Sequence, residues 1–194
     1  MTGHEHDHEH GAHDQLPHGQ PGHVHDDSCA VAHGTAEPPP TQVKVLAAVF
    51  ATPVASYLLR YGADVGYRAI LVEPDPERAK SVAADGFELT DELDAAAAAT
   101  ADVVVTDHHR PELGPQLRDA LAAGARWVGI MGNPRHEPPH VAALRNLGVP
   151  ADEIGKVHRP IGVNIGSHTP AEIAISTIAG LIADRNGKPG GFEF

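Results

Sequence analysis

The chain has 194 residues, with 26 acidic side chains against 14 basic and a formal net charge of −12 at pH 7. That length gives one ordinary domain and an appendage, and the acidic balance excludes a nucleic-acid surface, which needs a basic stripe. One cysteine, Cys29, permits no disulfide within the chain and suits a reducing cytosol, and no apolar run approaches the ~18 residues of a membrane span.

Residues 1–40 hold nine of the fifteen histidines, seven acidic residues and no Lys or Arg, and end in Pro38-Pro39-Pro40. Such a segment buries too little apolar surface to offset its chain entropy, so it reads as disordered. Its polar, acidic start is unlike a secretory signal, which is basic and then apolar. Imidazoles alternate with carboxylates at His4, His6, His8 and His10. His13, His23, His25 and Cys29 extend the set of candidate metal ligands, with His18 and His33 nearby. Imidazole suits Zn, Ni and Cu(II), and this density gives a multivalent site without a fold. Loss of Met1 would leave Thr2-Gly3-His4, whose amine, two amides and imidazole can hold Cu(II) or Ni(II) in a square plane. The alternative is a solvating tail with incidental metal affinity.

From Thr41 the composition becomes that of a folded domain, expected to run to Asn186 with a flexible end over 187–194. Val43–Phe50 is a continuous apolar run, as in a strand buried on both faces. A helix follows, capped by Thr52 with Pro53 at its first position. Arg68–Glu73 reads as the second strand, and the helix after it stops at Gly86. A short Ala-rich helix over 91–100 leads to a third strand, Ala101–Asp107. The next helix ends at Gly124, its start delayed by Gly114-Pro115, and Arg126–Gly132 is a fourth strand. A helix with Val141, Leu144 and Leu147 inward precedes a final strand or extended segment over 160–166. The last helix spans about 170–183, with Ile175, Ile178, Ala179 and Ile182 as its core face.

Strands alternating with helices imply a Rossmann-like, doubly wound parallel α/β sheet. Ligands of such sheets sit beyond the C-terminal strand ends, which selects residues 50–55, 73–75, 106–110, 129–136 and 160–169. Thr169, Pro170 and Glu172 spell a capping box, so a helix start faces the turn Gly162–Gly166. Free N–H groups and the positive dipole end there would stabilise an anion such as phosphate. Otherwise the glycines serve only a tight turn and a helix contact.

The block from Trp127 to His136, and then His158, Pro160, Ile161, Gly162, Val163, Ile165, Gly166, Thr169, Pro170, Glu172, Ile173 and Ala174, resembles the C-terminal Rossmann domain of the XdhC/CoxI family. The likeness extends more weakly back to Val43. It implies an accessory protein that binds the molybdenum cofactor (molybdopterin), assists its sulfuration beside a sulfurtransferase, and delivers it to an apo molybdenum hydroxylase of the xanthine or CO dehydrogenase type. A nucleotide is the alternative ligand, and the reading admits a homodimer. Three departures from the family stand out. Phe50, Thr52 and Ala55 replace the glycines of the first loop, removing φ freedom and room for a pyrophosphate. Pro138-Pro139 interrupts the helix after Arg135, and the His-rich tail replaces the family's N-terminal domain.

The candidate ligand residues follow from the strand ends. Thr52 lies in the first turn, and Glu73 or Asp75 occupies the place of a ribose-binding carboxylate, the bland reading being a solvated acid. Thr106, Asp107 and His108, with His109, end the third strand and offer a metal or pterin contact. Gly129, Gly132, Asn133 and Arg135 follow the fourth strand, with Arg135 as a phosphate partner. Gly162, Asn164, Gly166 and Thr169 form the last set. No nucleophile–base–orienter set is legible, so no catalytic residue is assigned, and the accessory reading is non-catalytic. Metal buffering or delivery by the tail and an NAD(P)-dependent oxidoreductase are the alternatives.

Overall fold

The computed structural model describes residues 27–37, 43–82, 86–133 and 135–191. The chain divides into two compact units, Met1–Pro40 and Thr41–Phe194. In the first, a short helix α1 (Asp27–Ala32) forms on the one run in that segment rich in small apolar residues. It closes at Gly34, and both the amide and the hydroxyl of Thr35 donate to the Ala30 carbonyl, at 2.9 and 3.0 Å. Cys29 lies on α1, whereas His4, His6, His8, His10, His13, His23, His25 and the Thr2-Gly3-His4 start lie outside the described residues.

The second unit is a five-stranded parallel sheet: β1 (Lys44–Val49), β2 (Tyr67–Val72), β3 (Glu88–Thr90), β4 (Ala101–Val105) and β5 (Trp127–Ile130). The strand order is β3-β2-β1-β4-β5, with β1 paired to both β2 and β4. Helices α2 (Pro53–Asp64), α3 (Pro76–Val82), α4 (Ala95–Thr100), α5 (Leu113–Ala122), α6 (Pro139–Asn146), α7 (Ala151–Ile154) and α8 (Pro170–Arg185) complete it. Apolar runs become strands here because alternate side chains enter two cores. Val45, Ala47 and Val49 of β1 join Leu113, Leu117 and Leu144 on one face. Leu46 and Ala48 join Leu58, Leu59, Ile178 and Leu181 on the other. Helices on both faces and the reversal of strand order between β1 and β4 make this a Rossmann fold.

Several expectations change. The run 160–166 is no strand. Gly162 and Gly166 take positive φ (85° and 66°), and backbone pairing to β5 is confined to His158, whose amide and carbonyl bond Val128 and Ile130 at 2.9 and 3.0 Å. The fifth strand is β3, three residues long and too short to show a period. Gly114-Pro115 lie inside α5 rather than delaying it, and Pro139 opens α6 rather than interrupting it, because the first helical turn needs no N–H from proline. Leu147 is 39% exposed, although it lies beside Gly114. On α8 the core face is Ala174, Thr177, Ile178 and Leu181, while Ile175 is 51% exposed and Ala179 is exposed. Both sets obey the same period; a helix this apolar does not reveal its phase.

At the N-terminal edge of the sheet, Asp102 is fully buried. Its carboxylate accepts the Tyr67 hydroxyl at 3.0 Å and Arg185 Nε at 2.8 Å, and also pairs with Arg126. This ties the end of α8 to β2, β4 and the entry to β5. Burial, and then the Asp102 charge, push the Tyr67 phenol up to about 12.

Candidate functional site

The C-terminal strand ends bring four segments together. The first is the β1–α2 turn. Phe50 takes a left-handed φ of 75°, with its ring fully buried and its amide donating to the Val72 carbonyl at 2.8 Å. The expectation that a phenylalanine removes the glycine-like geometry is therefore corrected. The backbone keeps the turn at a cost of ~1–2 kcal/mol for a residue with a Cβ, offset by ~1.5–3 kcal/mol from burying the ring.

Glu73 is not a solvated acid. Its side chain is fully buried, and Oε2 accepts the Ala51 amide at 2.8 Å. Oε1 accepts the Asp75 amide at 3.1 Å and Arg78 Nε at 3.0 Å. Both oxygens are therefore turned inward, clamping the β1 turn rather than facing a ribose. Asp75 caps α3, with Oδ1 accepting the Glu77 and Arg78 amides at 2.8 and 3.0 Å. Those bonds hold its carboxyl below the usual range. Arg78 also reaches Glu112 at 2.9 Å.

Thr52 caps α2 by accepting the Ala55 amide at 3.0 Å, and its hydroxyl donates to Thr106 Oγ1 at 2.9 Å. Thr106 in turn lies 3.0 Å from the carbonyls of Val49 and Phe50. The two hydroxyls thus stitch β1 to β4 across the point where a Rossmann ligand would lie. Asp107 accepts the His109 amide at 2.9 Å and pairs with Arg110 at 2.9 Å. His108 is half-buried, its ring 4.0 Å from that of His109. Burial first, and then the neighbouring His109, lower its pKa.

After β5, Gly129 lies under Trp127, where a Cβ would come within 2.2 Å of the indole. The indole stacks in turn on His158, with centroids 4.9 Å apart. Gly132 is covered by the Arg159 guanidinium; a Cβ there would lie 2.8 Å from Nε. Asn133 turns the chain, its Oδ1 accepting the Arg135 amide at 2.9 Å, and Arg135 itself is exposed. Arg159 donates to the carbonyls of Asn133 at 2.7 Å and His136 at 3.1 Å.

The start of α8 forms the expected capping box: Thr169 Oγ1 accepts the Glu172 amide at 3.3 Å. The reciprocal half of that box corrects the anion cradle. Glu172 Oε2 takes the amides of His168 and Thr169 at 2.8 and 3.0 Å, and Pro170 has no N–H. A carboxylate of the chain already occupies the His168 and Thr169 amides, and the Thr169 hydroxyl takes that of Glu172. Gly162 packs on α8, where a Cβ would lie 2.5 Å from Ser176 Oγ, and Gly180 carries no Cβ that would meet Gly162. Gly166 turns in open space and Asn164 is exposed.

Residues 46–181 match the XdhC Rossmann domain family. The chain belongs to that family. Over 65 residues it is 40% identical to the uncharacterized protein YqeB of Escherichia coli (strain K12), an overlap of 34% of this chain and 12% of YqeB. A solved structure of a xanthine dehydrogenase from Bacillus halodurans shares its fold, with a TM-score of 0.58 and 22% identity over 76% of this chain and 46% of that one. The XdhC domain here therefore spans less than half the length of both relatives.

Within this XdhC domain the block 158–174 runs from the β5 edge to α8. Sequence reasoning missed Arg78, Arg159, His140 and the occluding role of Glu172. His140, the second residue of α6, is 5% exposed, and its Nδ1 has no hydrogen-bond partner. Burial, and then Arg159, lower its pKa. Arg159 directly precedes Pro160 in the recognised block and was the one signal available. Among the described residues no group of three His, Cys, Asp or Glu side chains could hold a metal, and no helix is long and apolar enough to cross a membrane.

Proposed function

We propose that this protein is an XdhC-type accessory protein for a molybdenum hydroxylase of the xanthine or CO dehydrogenase type. It holds the phosphorylated molybdenum cofactor, or a nucleotide, for delivery to the apo-enzyme, with a sulfurtransferase as a further partner. The single observation that carries this reading is the family match across the whole sheet, from β1 to α8.

The contents of the strand ends bear on where such a ligand would fit. The β1 turn is filled by Glu73 and by the Thr52–Thr106 pair, and the α8 start by Glu172. These places do not suit a phosphate. The β4–β5 side offers Arg159, which donates only to the carbonyls of Asn133 and His136. The filled first turn also gives an NAD(P)-dependent oxidoreductase no support.

The test uses the full chain purified from molybdopterin-competent and molybdopterin-deficient hosts. Bound pterin is measured by fluorescence after oxidation, and the protein is then added to apo xanthine dehydrogenase. Pterin retention only from the competent host, with recovered hydroxylase activity, supports the proposal. No pterin and no activation would remove it. The metal-delivery reading draws on the nine histidines of residues 1–40. It predicts that calorimetric Ni(II) or Zn(II) binding disappears when those nine are replaced by alanine.

A further inference from the structure

We infer that Arg159, flanked by His108 and His140, forms an anion subsite at the C-terminal edge of β4 and β5 that takes the phosphate end of the ligand. The ligand's identity rests on the accessory-protein reading; the anion chemistry does not.

Charge sets Arg159 apart from the other partly buried arginines. Four arginines are half-buried: Arg78, Arg110, Arg159 and Arg185. Arg78 pairs with Glu73, Arg110 with Asp107 and Arg185 with Asp102. Among the described residues, Arg159 alone of the four has no carboxylate within ion-pair distance, and main-chain carbonyls of Asn133 and His136 are its acceptors. A cation withdrawn from water without a counter-charge is unfavourable, so the site is incomplete as it stands.

Hydrogen-bonding capacity at Arg159 is also unspent. A guanidinium carries five N–H donors, and Arg159 uses one on each of two terminal nitrogens. Its Nε is buried without an acceptor. His140 Nδ1 is likewise buried and unpartnered, on a residue 95% buried at the opening turn of α6. Two orphaned polar atoms on neighbouring segments are a departure from ordinary interiors, where such groups are satisfied.

Geometry places the groups at one corner: Arg159 donates to the His136 carbonyl, four residues before His140, and covers Gly132 at the exit of β5, the strand paired with β4, which His108 follows. Burial first, and to a lesser degree Arg159, disfavour the charged form of both imidazoles. His108 also faces His109, which disfavours its charge, and Asp107, which favours it. A phosphate at this corner would supply the counter-charge that Arg159 lacks and accept from its unspent guanidinium donors. Gly132 completes the arrangement by leaving room for the guanidinium to lie flat against the β5 exit. The phosphate role expected for exposed Arg135 therefore passes to Arg159.

Isothermal titration of inorganic phosphate into the full chain at pH 7.5, with sodium chloride at matched ionic strength as the control, tests the subsite. Saturable binding is expected in the wild type. Arg159→Gln should weaken it at least tenfold, and Arg135→Gln should leave it unchanged. Absence of saturable binding, or equal affinity in Arg159→Gln, overturns the inference. Should Arg159→Gln fail to fold, Gly132→Ala decides: it keeps the charge but displaces the guanidinium, and wild-type affinity in that variant overturns the subsite. A wild-type chain that binds phosphate through Arg159 yet carries no pterin removes the accessory reading and leaves the subsite. Undiminished activation of apo-enzyme by Arg159→Gln removes the subsite and leaves the reading.

Discussion

Phe50 offers a sharp test of the physical account of the first turn. Its φ of 75° lies where a Cβ costs ~1–2 kcal/mol, and its ring is fully buried among the residues of the β1 core. Phe50→Ala removes the ring and keeps the strain, so it should destabilise by about 3–5 kcal/mol. Phe50→Gly removes both. Glycine's extra freedom in the unfolded chain returns roughly 0.5–1 kcal/mol of the relief. The glycine variant should therefore be the more stable of the two by about 0.5–1 kcal/mol, the reverse of their order in an ordinary strand. Urea unfolding of the full chain, followed by the fluorescence of the single tryptophan, Trp127, reads this directly. In melting temperature the difference is about 1–4 °C for a chain of this length. If the alanine variant equals or exceeds the glycine variant, the left-handed geometry of Phe50 is not a stored cost, and the account of this turn is wrong.

Asp102→Asn should lower stability by roughly 3 kcal/mol, the low end for breaking a buried ion network because Arg126 and Arg185 keep some solvent contact; urea midpoints measure it. The Tyr67 phenol predicts alkaline behaviour. With its pKa raised from 10.0 to about 12 in the folded chain, the unfolded state loses its proton first. Stability is fully present below pH ~10 and falls as pH rises toward ~12, by roughly 2.7 kcal/mol in total. Absorbance titration at 295 nm should show this phenol ionising last, and earlier in Asp102→Asn. Thr169→Ala should cost about 1 kcal/mol by removing the α8 cap; an unchanged melting temperature would contradict the cap's role.

Much of the fold was legible because continuous apolar runs alternate with helices whose starts carry capping residues. The β1 run reads as a strand buried on both faces, and its side chains do divide between two cores. Thr52-Pro53 and Thr169-Pro170 mark helix starts through local chemistry that tertiary packing did not override. The failures have equally local causes. Three residues of β3 are too few to carry a period, and the glycines at 162 and 166 that looked compatible with a strand are the residues that break it. The phase of α8 escaped because apolar residues lie on several of its sides, so burial was decided by which face meets α2 and β1.

The site was less legible for a more specific reason: the same residues that announce a structural feature also consume it. A capping box locates a helix start because a side chain satisfies its free amides, and a satisfied amide is no longer available to a ligand. Glu172 did both, marking the start of α8 and closing it. Glu73 sits at the strand end where a ribose carboxylate belongs, yet Arg78, five residues on in the first turn of α3, draws it inward. Thr52 caps α2 and then spends its own proton on Thr106. A sequence motif therefore reports where donors converge, and only the partner list of each donor reports whether any remain. By that measure the unsatisfied corner of this XdhC domain is the one beside Gly132, where Arg159 has carbonyls for company and no acid.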